Sequence, residues 1–413
     1  MDLILGAGVS GISYAGFTKN DYTIIEKEAE YGGYCRTIKR GDYVWDYSGH
    51  FFHFQSNDLK QRVCGNISKE NLLSVRKKTQ IYYKHSYIDF PFQKNIHQLE
   101  KEEFIDCLYD LFNAVDDGCY TSFKDMVIKK YGKSIADKFL VPYNEKLYAC
   151  DIDKLDVNAM GRFFPVANRE EIISNFRNNN NHSYNDYFEY PIGGAIEYIN
   201  SLMHYVDTNR LSLNEEVLSI NTHDKLVKTN KRLIEYDNLI STIPFPNLLS
   251  KCNIDFDEKI FTSNRVLVFN IGFDSKGSDC SNSWIYFPEK DYVFYRVGYY
   301  DNIMGSDKMS LYVEIGISNY QNVISFDSYF EKVMCDLKKC GIVDKQKVVD
   351  YEAVLMNPAY VHINRACVKE IQRMKEQLRS LNIYSIGRYG SWTYCSIEDN
   401  IKEAQCLSNV LNE

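Results

Sequence analysis

No Cys-x-x-Cys pair occurs among the 12 cysteines of this 413-residue sequence. They stand singly, as at Cys35, Cys64, Cys150 and Cys395, so neither a zinc site nor a disulfide scaffold is indicated, no metal is expected, and reduced thiols are. No apolar run approaches the ~18 residues that span a bilayer. The first strand begins almost at Met1, leaving no room for a signal peptide, and a cytoplasmic location is expected. Basic residues are not in excess: Lys+Arg 48 against Asp+Glu 56 gives a formal net charge of −8. An acidic chain is not a general nucleic-acid binder, and an anionic substrate would need a few local arginines acting against that field. No internal repeat and no Ser/His/Asp nucleophile signature is visible. What remains is ordinary globular composition, 45% hydrophobic and 25% charged, over a length that implies two or three domains.

The N-terminus carries the most specific pattern. Asp2-Leu3-Ile4-Leu5 reads as a short buried strand, Gly6-Ala7-Gly8-Val9-Ser10-Gly11 follows, and a helical stretch leads to a second strand, Tyr22 to Ile25, ended by Glu26 and Lys27. This is strand, G-x-G-x-x-G, helix, strand, acid. Gly6 permits the tight turn, Gly8 lets a pyrophosphate approach the backbone, and Gly11 lets helix and strand pack closely. The helix N-terminus offers free N–H groups to phosphate, and Glu26 can accept from a ribose diol. The run from Glu26 through Gly32-Gly33 to Arg36 extends the fingerprint and favours FAD over NAD. Ser48-Gly49-His50, after the strand Tyr43-Val44-Trp45, is placed against the flavin ring.

Farther along, residues 79–95 alternate and residues 100–160 read as helical, with stripes such as Phe104, Leu108 and Leu111. Residues 177–182 form a polar loop. Strands are expected over 217–242, 264–273 and 283–316, and helices over 195–206, 326–341 and from Ser396 onward. The fold class is α/β: an FAD-binding, Rossmann-like dinucleotide domain with a helical insert and an antiparallel-sheet domain. The expected division is 1–78 for the first part of the FAD domain, 79–180 for a mainly helical substrate domain, and 181–260 for the second FAD part. Residues 261–380 follow as an antiparallel-sheet substrate region, and 381–413 as a C-terminal FAD segment.

Six patches along nearly the whole chain resemble the flavin-dependent UDP-galactopyranose mutases, most closely their eukaryotic-type branch, within the wider amine oxidase and protoporphyrinogen oxidase superfamily. The carriers are Phe90-Pro91-Phe92-Gln93-Lys94-Asn95, Tyr143 to Tyr148, Gly161-Arg162, Asn185 ahead of Phe188-Glu189-Tyr190-Pro191, Trp284 to Arg296, and Gly387-Arg388-Tyr389-Gly390-Ser391-Trp392-Thr393-Tyr394. The resemblance implies that Phe90, Gln93 and Asn95 hold a uracil. Arg162, Arg296, Tyr286, Tyr360 and Tyr394 would meet a substrate diphosphate, with Tyr148 and Asn185 also at the substrate. Gly6, Gly8, Gly11, Glu26, Lys27, Gly33, Arg36, Gly49, His50, Gly387, Arg388 and Ser396 would bind FAD. Arg162, Arg296 and His50 are the implied catalytic set. Two positions depart from the family pattern: Tyr148 replaces a tryptophan, and Glu398 replaces an asparagine, which puts an acid near an anionic ligand.

The implied activity interconverts the pyranose and furanose forms of a UDP-sugar through an adduct at N5 of reduced FAD, for surface polysaccharide synthesis. NADPH or NADH would be the reductant, the UDP-sugar the partner, and a homodimer one assembly. The segment from Arg162 to Tyr184 would close over substrate. The alternatives are an FAD-dependent oxidoreductase of the amine oxidase type, for which Arg162 and Arg296 are dispensable, and a non-catalytic flavin- or nucleotide-binding protein.

Overall fold

The computed structural model describes residues 1–178 and 186–412. The apolar run at the N-terminus forms the strand Asp2–Leu5, buried at all four positions. It is the middle strand of a five-stranded parallel sheet ordered Ile383–Ser385, Asn238–Ser241, Asp2–Leu5, Tyr22–Ile25, Leu211–Ser212. Successive side chains point to opposite faces. Ile4, Ile24 and Ile240 accordingly join the helices Val9–Phe17, Ile196–Met203 and Ile397–Leu411 in one core, while Leu3, Leu5 and Leu239 join Phe245, Leu248, Met374 and Leu378 in another. Both faces are covered, which is why these strands read as continuous apolar runs.

The second layer is a seven-stranded sheet ordered Val348–Met356, Asn264–Phe273, Ser310–Ser318, Arg296–Tyr299, Trp284–Tyr286, Thr79–Tyr83, Ser86–Asp89. Its pairings are antiparallel except that Trp284–Tyr286 runs parallel to Thr79–Tyr83. The helical insert lies between the strand ending at Asp89 and the pair formed by Tyr187–Pro191 with Leu72–Arg76. Its helices include Lys101–Asn113, Phe123–Tyr131, Val141–Tyr148 and Arg169–Asn178.

Two of the expected boundaries shift. Residues 79–89 supply two strands at the edge of the seven-stranded sheet, and their alternation buries Ile81 and Ile88 with Phe92, Ile96 and Leu111 of the helical segment. Residues 365–379, expected in the sheet region, form the helix Arg365–Arg379, which packs beside Ile383–Ser385. Its buried residues, Cys367, Met374 and Leu378, follow the helical repeat, but the intervening charges thin the pattern. The polar loop expected at 177–182 lies largely outside the described residues, as does Asn185 and the end of the segment expected to close over substrate.

Candidate active site

The glycine-rich turn is held by close backbone approaches. Gly6 has φ +99°, where a Cβ would also stand 2.4 Å from Thr242 Oγ1. A Cβ at Gly11 would stand 2.0 Å from the Gly6 carbonyl oxygen, so nothing larger lets the helix Val9–Phe17 sit on its strand. That helix is N-capped by Gly8 with no side-chain cap, which leaves its first-turn N–H groups available to an anion. The second glycine pair closes the cradle: Gly32 N donates to Ala7 O at 2.8 Å, and a Cβ at Gly33 would meet Gly8 Cα at 3.4 Å.

Glu26 stands just past the strand Tyr22–Ile25, where its buried carboxylate accepts from Ala7 N at 2.8 Å and Glu28 N at 3.0 Å. Arg36 donates from Nε to Gly33 O at 3.0 Å and lies over the Tyr47 ring. Lys27 is different: its side chain is exposed and pairs with Glu28 at 3.5 Å, away from the cradle. At the far end of the chain Gly387 packs on Ser10, and Arg388 N donates to Asn400 Oδ1 at 2.7 Å, an oxygen that also accepts from Ser10 Oγ at 3.2 Å. Ser396 caps the helix Ile397–Leu411 through a capping box with Asp399. This apposition of two glycine turns, an uncapped helix and a buried carboxylate fits the pyrophosphate and ribose of a dinucleotide such as FAD.

The loop Ser48-Gly49-His50 continues from the strand Tyr43–Asp46. Ser48 Oγ donates to Glu314, and Gly49 backs onto Tyr312 so closely that a Cβ would stand 2.6 Å from its hydroxyl oxygen. His50 Nδ1 is shielded from solvent without a hydrogen-bond partner. Burial holds its pKa down to about 4, against the opposing field of Glu314, so the imidazole is neutral at pH 7. Asp46, fully buried at the end of the strand, accepts from Thr37 Oγ1 at 2.6 Å, Tyr190 OH at 2.8 Å and Ala195 N at 2.9 Å. Burial nonetheless pushes its pKa up to about 6.

Arg296 lies in the strand beside Ser310–Ser318, directly opposite Glu314. Its fork grips that carboxylate, Nε to Oε2 at 2.7 Å and Nη2 to Oε1 at 2.6 Å. Burial works against both charges, but each stabilises the other: Glu314 is held below the usual carboxylate range and Arg296 stays charged.

Around this pair the aromatic residues gather from distant segments. Tyr286 packs on Phe90 and Tyr143, each with ring centroids 5.1 Å apart. Tyr360 stacks on Tyr394 at 5.8 Å, and Tyr148 meets Tyr360 edge-on at 5.7 Å. The Arg388 guanidinium sits 4.7 Å from the Tyr394 centroid and 5.2 Å from that of Tyr360. Its Nε has no partner, and no carboxylate pairs with it among the described residues. Burial raises the Tyr360 and Tyr286 hydroxyls above the ordinary phenol range, with Arg296 opposing, so both are proton donors at neutral pH.

Arg162 reaches the rim of the same cluster through Phe163, which lies edge-on to Tyr394 at 5.1 Å. Its guanidinium is taken up by Asp399, at 2.8 Å to both oxygens, by Gln55 Oε1 at 2.9 Å and by Ser396 Oγ at 3.1 Å.

Several expected ligands instead hold the scaffold. Gln93 is fully buried and donates to Pro165 O. Asn95 is fully buried and bonds Pro91 O at 3.0 Å and Asn175 Nδ2 at 3.1 Å. The Tyr148 hydroxyl points to Ala159 O, so this ring backs Tyr360. Glu398, expected near an anionic ligand, is 2% exposed and accepts from Gln55 N at 3.0 Å and Ser56 N at 2.7 Å. Its negative charge is shared between the backbone of the loop after His53 and Lys402 Nζ, which lies 3.1 Å from Oε1. The sequence reading missed Glu314, Asp399 and Tyr312. Glu314 had a signal, a lone acid in the apolar strand SLYVEIGIS, since an acid buried in such a strand demands a cation.

Residues 4–66 match the NAD(P)-binding Rossmann-like domain family. The whole fold is similar to the crystal structure of reduced UDP-galactopyranose mutase, with a TM-score of 0.91 at 21% identity over 99% of this chain and 93% of that one. It is also similar to a protein from Exiguobacterium sp. 255-15 that carries the provisional name protoporphyrinogen oxidase, with a TM-score of 0.81 at 16% identity over 100% and 98% of the two chains. Cyclohexylamine oxidase from Brevibacterium oxydans IH-35A gives 0.70 at 11% identity over 100% and 98%. The fold is therefore that of these structures, a Rossmann-like dinucleotide domain joined to a mainly antiparallel sheet domain.

Proposed function

We propose that the chain is a flavin-dependent mutase that interconverts the pyranose and furanose forms of a UDP-sugar of the UDP-galactose type, with FAD in the glycine cradle. The observation that carries this reading is the gathering of Arg296, Arg388, Tyr286, Tyr360 and Tyr394 from four segments into one aromatic-walled site. Protonated tyrosine hydroxyls and guanidinium N–H groups are donors suited to a pyrophosphate. Phe90, packed on Tyr286, offers a ring face to a base.

The chemistry supplied by bound, reduced FAD is nucleophilic, at N5 of its ring, toward the anomeric carbon. This chain's residues then hold the leaving diphosphate in place for its return. The neutral His50 lies on the loop assigned to the flavin ring and adds no competing charge there.

The test is anaerobic. Protein reduced with dithionite is expected to interconvert UDP-galactose and UDP-galactofuranose, and oxidised protein is not. Arg296→Ala is expected to lower kcat/KM about tenfold or more, because a hydrogen bond from the guanidinium to a charged diphosphate is worth roughly 1.5–3 kcal/mol.

One observation favours a second reading, an oxidoreductase of the amine oxidase type: the forks of Arg296 and Arg162 already hold carboxylates. Oxygen consumption with an amine substrate, without UDP binding, would select it.

A further inference from the structure

A groove of about 350 Å³ opens on the other side of the flavin-motif segment, between the end of the helix Asn57–Cys64, the turn Lys69–Asn71 and the helix Ile196–Met203. Its polar lining includes Asn66, Ser68, Asn71, Glu197, Asn200 and His204. Ser201 is 3% exposed, its hydroxyl closed off beneath the floor, so what it presents to the groove is backbone. Asn66 Nδ2 donates to Ser201 O at 3.2 Å and so braces the same floor. On the wall, Glu197 Oε2 accepts from Asn200 at 3.3 Å, while Oε1 meets no protein donor among the described residues. That oxygen is kept clear by Gly193, where a Cβ would stand 2.7 Å from it. The rim is fixed by Ile192 N donating to Asn71 O at 2.9 Å.

The composition restricts the ligand. No lysine or arginine lines the groove and one carboxylate does, so an anion is repelled. One carboxylate among amides is too few for a divalent cation, which takes six or more oxygen ligands. A purely apolar ligand would bury these polar groups without partners. A ligand with adjacent hydroxyls matches every group present. Each hydroxyl both donates and accepts, so it can give a proton to Glu197 Oε1 or an amide oxygen while accepting from an amide N–H. Ile67 and Ile192, which also line the groove, present apolar surface to C–H groups.

We infer that this groove is a saccharide subsite, distinct from the dinucleotide cradle and independent of the activity proposed for it. It communicates with the cradle by one bond: Asn200 Oδ1, at the groove, accepts from the hydroxyl of Tyr31, the residue before Gly32-Gly33, at 2.9 Å.

Saturation-transfer NMR on the FAD-loaded protein tests this, with galactose and maltotriose as probes and saturating UDP present to occupy the candidate active site. Transfer to at least one saccharide is expected to persist under UDP. Glu197→Gln is expected to weaken it about tenfold, the worth of one hydrogen bond to a charged group. Gly193→Ala, which displaces the carboxylate, and Asn71→Ala, at the exposed rim, should weaken it too, with the flavin spectrum and circular dichroism unchanged. Three results would overturn the assignment: no transfer to either sugar under UDP, transfer undiminished in all three variants, or binding of inorganic phosphate that saccharides do not displace.

Discussion

Asp46 and Glu314 are both buried carboxylates beside the loop Ser48-Gly49-His50, Asp46 by sequence and Glu314 through Ser48, yet their surroundings drive them in opposite directions. Glu314 faces a guanidinium and stays ionised; Asp46 has only neutral donors, and its pKa rises from 3.8 to about 6. Between those two values the folded protein keeps a proton that the unfolded chain has lost. Asp46 therefore favours folding most at low pH, and that contribution falls as pH rises through the window and is gone above it. Asp46→Asn keeps an oxygen for Thr37 and Ala195 and does not titrate. Its melting temperature relative to the native protein is expected to climb between pH 4 and 6 and to level off above 7. A difference that is flat with pH would mean that Asp46 ionises normally in the fold. Both acids were visible in the sequence as charges in apolar strands, but their partners come from residues 18 positions away for Glu314 and 144 for Tyr190.

The helix Ile397–Leu411 does more than cover the parallel sheet. Its first turn carries Glu398 and Asp399, which suit a helix N-terminus electrostatically, and each side chain also reaches another element. Glu398 fastens the loop at Gln55 and Ser56, a few residues after His50. Glu398→Ala would leave both backbone N–H groups without their acceptor, and is expected to destabilise the fold by about 2–6 kcal/mol in urea denaturation, at roughly 1–3 kcal/mol per orphaned group. Glu398→Gln, which keeps one acceptor oxygen, should lose less. Equal losses from the two variants would show that the charge, rather than the acceptor, does the holding. The helix itself was legible from its capping serine and apolar spacing. The use of Glu398 was not, because an acid at that position reads equally as a ligand neighbour or as a clamp until the loop from residue 55 is seen to arrive beside it.

The helical insert and the C-terminal dinucleotide segment are tied across the molecule by Arg162 and Asp399. Both side chains are about a third or more exposed, at 39% and 33%, so this tie contributes at most about 1 kcal/mol to stability. It nevertheless occupies the guanidinium expected to meet phosphate. Asp399→Asn is expected to leave stability within about 1 kcal/mol and to tighten UDP binding several-fold in calorimetry, since the phosphate no longer displaces a carboxylate. Weaker binding would show instead that Asp399 aims Arg162 at the ligand.

The dinucleotide fold was readable along the chain because its signals are local: a four-residue apolar strand, glycines at fixed spacing and an acid at the next strand end. Such glycines mark positions where the turn needs a positive φ or a close backbone approach that other residues do not allow. The candidate site is a different kind of object. Arg296 meeting Glu314, Arg388 standing without a carboxylate, Gln93 and Asn95 turned into the scaffold and Glu398 spent on a backbone loop are all outcomes of which segments come within about 3 Å of one another. Hydrogen bonds form only at that range, and charge pairing is strongest there. Residue type announces the capacity for such a contact, and packing of the two sheets and the helical insert selects the partner.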